Sequence, residues 1–124
     1  MKAPIIIVES YDISVHPTVN HAERQLEVRD VKDNIYTAYD SEGQLLNLFV
    51  DLIERKRSFL WLKWKSQYES VRIKEFEPRR YKLNDLRTHL IDNLKSKKSL
   101  DNDLIDSSTE ELVKKVGKKM PWRL

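Results

Sequence analysis

The stretch Ile35–Glu54, read Ile-Tyr-Thr-Ala-Tyr-Asp-Ser-Glu-Gly-Gln-Leu-Leu-Asn-Leu-Phe-Val-Asp-Leu-Ile-Glu, decides the fold. Two apolar-rich runs flank Asp40-Ser41-Glu42-Gly43, a tetrad with the chemistry of a tight reversal. The Asp40 side chain can accept bonds from amides two residues on, and Gly43 reaches positive φ without a Cβ clash. A hairpin is expected, with Tyr36 and Ala38 alternating on one arm and Leu46, Leu48, Val50 and Leu52 on the other. The second run also holds Leu45, Phe49 and Ile53, so apolar residues stand on both parities. That pattern fits a central strand covered in part on both sides. Period alone leaves a helix over Leu45–Glu54 as the alternative.

Toward the N-terminus, Ile5–Glu9 and Tyr11–Val15 read as two short strands joined near Ser10–Asp12. Pro17 stops the second, and Thr18 can cap the next turn. Val19, Ala22 and Leu26 recur at helical spacing, which predicts a short amphipathic helix over Val19–Glu27. Glu27–Val31 reads as extended, and Lys32-Asp33-Asn34 as a turn. Toward the C-terminus, Arg55-Lys56-Arg57 reads as a link and Ser58–Lys65 as an aromatic-rich strand. Ser66–Ser70 reads as a turn, then Val71–Phe76 as a strand with Val71 and Ile73 inward and Arg72 and Lys74 outward, ended by Glu77-Pro78. Leu83, Leu86, Leu90, Ile91 and Leu94 mark a long helix with Asn84 as its cap. Ser99–Asp106 is a polar connector, and Ser108-Thr109-Glu110-Glu111 is a capping box for a second helix that Gly117 closes. The predicted class is α+β: a mainly antiparallel sheet of five to six strands, a short helix after the second strand, and two C-terminal helices. Residues 1–117 are expected to form one domain and residues 118–124 a basic tail.

Length supports one modest core, and a charged content of 35% implies a heavily charged surface. The chain has no cysteine, which excludes disulfides, thiolate metal sites and cysteine nucleophiles, and fits a reducing compartment. The four-residue apolar run Ile5–Val8 is too short for a signal peptide, and no segment is long and apolar enough to span a membrane. A cytoplasmic location is expected. The net charge of +3 hides a division. Through Glu54 there are four Lys and Arg against ten Asp and Glu; from Arg55 onward there are nineteen against ten. Such a chain can meet a charged partner through either pole.

Catalytic chemistry is hard to assemble. His16, His21 and His89 fall on different elements, none beside a glycine-supported nucleophile. His89 and Asp92 share a helical face but lack further ligands, so no metal is expected. Asp101-Asn102-Asp103 begins like a calcium loop, yet Asp106 and Leu112 stand where such a loop needs glycine and glutamate. Two glycines give no phosphate-cradling loop. Neither enzyme activity nor a cofactor is expected, which leaves binding. Phe59, Trp61 and Trp64 interleave with Lys63 and Lys65, and Arg55-Lys56-Arg57 lies just before them. Rings stack bases and cations hold phosphates, so Arg55, Lys56, Arg57, Trp61, Lys63 and Lys65 form a candidate surface for single-stranded nucleic acid. The plain alternative is a sheet with its aromatics in the core and its lysines blunting an edge.

The N-terminal half also resembles a family. Ile6-Ile7-Val8-Glu9, then Asp12-Ile13-Ser14-Val15, then Thr18–Glu27, then Tyr36–Leu46 is similar to small bacterial proteins that look like immunity proteins of toxin systems. The similarity covers residues 5–50. It implies stoichiometric neutralisation of a toxin domain by binding, without catalysis, so a protein-binding module is the expected function and single-stranded nucleic-acid binding is the alternative. An acidic face would suit a basic nuclease toxin. Charge and expected exposure select Glu23, Glu27, Asp40, Glu42 and Asp51 for that face.

Overall fold

A computed structural model describes residues 1–10, 12–59, 62–96 and 108–117. The reversal at Asp40–Gly43 forms as its residues dictate. The Asp40 carboxylate accepts from the amides of Glu42 and Gln44, each at 2.9 Å, and from that of Lys2 at 3.1 Å. Gly43 sits at φ +81°, where a Cβ would lie 2.6 Å from Leu83 Cα. The Gly43 carbonyl accepts from the Lys82 amide at 2.8 Å, so one turn ties the N-terminus to the start of the third helix.

The strands are β1 (Ile5–Glu9), β2 (Asp12–His16), β3 (Tyr36–Tyr39), β4 (Gln44–Phe59) and β5 (Leu62–Tyr81). They form an antiparallel sheet in the order β2-β1-β3-β4-β5. Leu45–Glu54 is strand throughout, paired with β5 and, at Leu45 and Leu46, with β3. The helical alternative is excluded. The helices are α1 (Val19–Gln25), α2 (Val28–Lys32), α3 (Leu83–Ser96) and α4 (Thr109–Gly117). Thr18 Oγ1 accepts from the His21 amide at 3.1 Å and Ser108 Oγ from the Glu111 amide at 3.2 Å, so both expected caps form.

Several boundaries differ from the reading of the sequence. Glu27–Val31 is not extended: Val28 and Val31 pack on the sheet from α2, and burial on that surface overrides the weak helix propensity of two valines. Asn84 lies inside α3 rather than capping it, because the helix opens on Leu83. Arg55–Arg57 is no link but part of β4, and Ser66–Ser70 is no turn but part of β5. Pairing runs without a break from Leu46↔Glu75 to Phe59↔Leu62, so the reversal falls between those last two residues. Serine alone, with no Gly, Pro, Asn or Asp beside it, does not force a turn. Nor does Pro78 end β5. The register jumps between Leu45↔Arg80 and Leu46↔Glu75, and Pro78 sits in the bulged segment that this leaves, where no ladder amide is needed. The Ser99–Asp106 connector and the 118–124 tail lie outside the described residues.

The sheet is the middle of three layers. Ile5, Ile7, Ala38, Leu46, Val71 and Ile73 face Ala22, Leu26 and Val31 of the α1–α2 segment. On the other side Ile6, Val8, Ile13, Val15 and Tyr39 face Leu86, Leu90 and Leu94 of α3 and Leu112, Val113 and Val116 of α4. Burial on both faces explains the unbroken apolar run Ile5–Val8. The helical layers are offset: α3 and α4 lie over β1 and β2, whereas α1 and α2 reach β4 and β5. Among the described residues, no helix is long and apolar enough to cross a membrane.

Candidate functional site

Past the described helices, β4 and β5 run on as a pair. From Asp51↔Ser70 to Phe59↔Leu62 they form a two-stranded ribbon of nine residue pairs. At about 3.3 Å per residue its length is about 30 Å. Leu52 there is 57% exposed and Tyr68 39%.

At its root the ribbon has two unlike faces. Leu48, Val50, Val71 and Ile73 pack against the α1–α2 side. Glu23 of α1 reinforces that contact, its carboxylate accepting from the Ile73 amide of the edge strand at 2.8 Å. Lys32 at the end of α2 pairs with Glu69. The opposite face is covered by no described helix. Register puts Phe49 beside Arg72, Asp51 beside Ser70, Ile53 beside Tyr68 and Asn47 beside Lys74. Phe49 and Ile53 are half-buried, Arg72 and Lys74 are exposed, and Lys74 Nζ lies 5.6 Å from the Phe49 ring centroid. Phe49 therefore sits beside two cations, and Asp51 and Ser70 separate it from the Ile53–Tyr68 pair.

At the far end, Arg55–Lys65 contains five Lys and Arg and no Asp or Glu. Arg55, Lys56 and Arg57 fall opposite Ser66, Lys65 and Trp64, and Lys63 falls opposite Ser58. Five of the six residues expected to contact nucleic acid thus share one ribbon end, and Lys56 is exposed. Trp61 lies outside the described residues. Like charges directly opposite, as at Lys56↔Lys65, destabilise a strand pair. An anion between them reverses that sign.

The expected acidic face does not hold together. Asp40 is 1% exposed, and its carboxylate is engaged by three backbone amides, which corrects its assignment to a surface. Glu23 is held by the Ile73 amide. Glu27, Glu42 and Asp51 are exposed. Glu42 belongs to the β3–β4 turn, while Asp51 stands on β4 about 23 Å beyond Gln44.

His16 and His21, which the sequence places on separate elements, come together. His16 Nδ1 lies 2.9 Å from His21 Nδ1, and His16 Nε2 lies 2.8 Å from Ser14 Oγ. The available signal was the short reversal Pro17-Thr18, which folds the end of β2 back onto the first turn of α1. Burial, helped by the neighbouring His21, pushes the His16 imidazole down to about 4. A histidine so hard to protonate is a poor general base, so the Ser14–His16–His21 chain reads as a satisfied polar contact under α1. A cleft of about 430 Å³ opens elsewhere, between Lys2–Pro4, Pro17, the Ser41–Glu42 turn and α4. Its charged lining is mixed, with Lys114 paired to Glu110 at 3.7 Å, and does not define one ligand charge. Among the described residues no three of His, Cys, Asp and Glu are grouped to hold a metal ion.

The fold and the ribbon define an α+β protein of three layers with a projecting, cation-tipped β-hairpin. No family model matches this chain, and no curated protein or solved structure does.

Proposed function

We propose that the protein is a non-catalytic nucleic-acid-binding module whose contact element is the β4–β5 ribbon. The observation that carries this reading is the gathering of five cations and no acid at Arg55–Lys65, on the end of a ribbon projecting past the helices. Phosphates supply counter-charge where the register sets Lys56 opposite Lys65. The absence of cysteine supports a cytoplasmic place of action.

Fluorescence anisotropy with labelled oligonucleotides tests it. Binding is expected at micromolar concentration or below, weakening more than about tenfold between about 50 and 200 mM salt. Arg55→Glu combined with Arg57→Glu abolishes it. Absence of binding at low salt overturns the reading.

The resemblance to immunity proteins supports a second reading, docking of a basic toxin domain on the exposed Glu27, Glu42 and Asp51. One substitution separates the two. Asp51→Asn slows association with a basic protein, but it strengthens binding of a polyanion to the ribbon.

A further inference from the structure

We infer that the face at the ribbon root that no described helix covers is a base-stacking subsite, in which Phe49 and Tyr68 take unpaired nucleobases and Arg72 and Lys74 take the phosphates. The ligand is then a single strand rather than a duplex. This rests on the reading above and adds a site separate from the cationic tip.

Among the described residues, helix packing does not account for this face. The core side of the same strands is already served by Leu48, Val50, Val71 and Ile73, and no described helix packs on the other. Yet that side carries two rings: Phe49 opposite Arg72 with Lys74 over its ring, and Tyr68 at 39% exposure four register positions further out. That separation is about 13 Å along the strands, so the two rings serve different bases. Bases in a duplex already stack on each other and offer no free π-face, whereas unpaired bases do. The exposed Arg72 and Lys74 fix the charge of the occupant as negative and oppose a second copy of the same face. Asp51 lies between the rings, opposite Ser70, and its carboxylate repels a phosphate chain there.

The full-length chain is titrated with a labelled oligothymidine of about 20 nucleotides and with the same strand annealed into a duplex, at about 100 mM salt. Single-strand binding is expected to be at least about tenfold tighter than duplex binding. Tyr68→Leu and Phe49→Leu each weaken it about tenfold with an unchanged salt slope, and Tyr68→Trp restores it. Arg72→Gln lowers the salt slope by about one ion. Asp51→Asn tightens binding about twofold to threefold. Tyr68 is exposed, so its variants report on the subsite even where Phe49→Leu perturbs folding. Equal affinity for both forms, with Tyr68→Leu unaffected, overturns the subsite and leaves the cationic tip as the contact. A dimer that Tyr68→Leu dissociates assigns the face to a second copy and also overturns it. Failure to bind either form removes the parent reading as well.

Discussion

The two halves of β4 and β5 have the same backbone ladder and opposite surroundings. Near the sheet, Leu46, Val71 and Ile73 are sealed under α1 and α2; beyond Val50, Leu52 is more than half exposed on the same side of the same strand. Alternation sets which face a residue belongs to, but the reach of the helices decides whether that face is buried. A two-stranded hairpin without cover is marginal in water. The outer half therefore takes its register from the inner half, and its surface residues are released from the demands of packing.

The contrast can be broken most severely in the body. Leu90 is fully buried among α3, α4 and the sheet, so Leu90→Ala is expected to cost about 3–5 kcal/mol, read as a lower urea midpoint at unchanged slope. Asp40→Ala leaves the amides of Lys2, Glu42 and Gln44 without their acceptor and is expected to cost about 3 kcal/mol, seen in thermal unfolding. Acid acts on the body through His16. The unfolded imidazole gains a proton as pH falls through 6.5, the folded one only near 4. Between those values the unfolded state binds more protons, so stability is lost as pH falls across that window, by about 1–2 kcal/mol from pH 7 to about 5. Comparing urea midpoints of wild type and His16→Asn at both pH values isolates this share, which vanishes in the variant. Smallest is Leu52→Ala on the ribbon, expected within about 0.5 kcal/mol of wild type in the same denaturation experiment. A loss of 2 kcal/mol or more there would mean that the ribbon is covered after all.

What the sequence made legible was local chemistry. Thr18 and Ser108 each cap a helix whose first amides they must satisfy, and Gly43 and Asn34 each close a turn with a residue suited to positive φ. The reversal after Phe59 carries no such residue, and the serines at 66 and 70 imitate one. A turn at Ser66–Ser70 places Tyr68 in a loop, whereas the register aligns it with Ile53 on the face that also holds Phe49. Arg72 and Lys74, by contrast, followed from the clean alternation Val71-Arg72-Ile73-Lys74. Asp40 shows how one residue type supports two incompatible readings. A carboxylate that accepts three amides in a turn is drawn inward by them and cannot also stand on a docking face. The His16–His21 pair depends on how α1 folds back on β2, which no residue pattern within either element records.

The register jump at Leu45 and Leu46 sits at the base of the hairpin, and every pair beyond it follows in simple succession. Hairpin length is thereby uncoupled from the layers behind it. Inserting two residues in each strand at the far end moves the tip outward by about 7 Å and returns every side chain to its former side. Adding one to each strand turns the new tip over. Reach in this scaffold is adjustable in even steps, with the buried layers as a fixed handle.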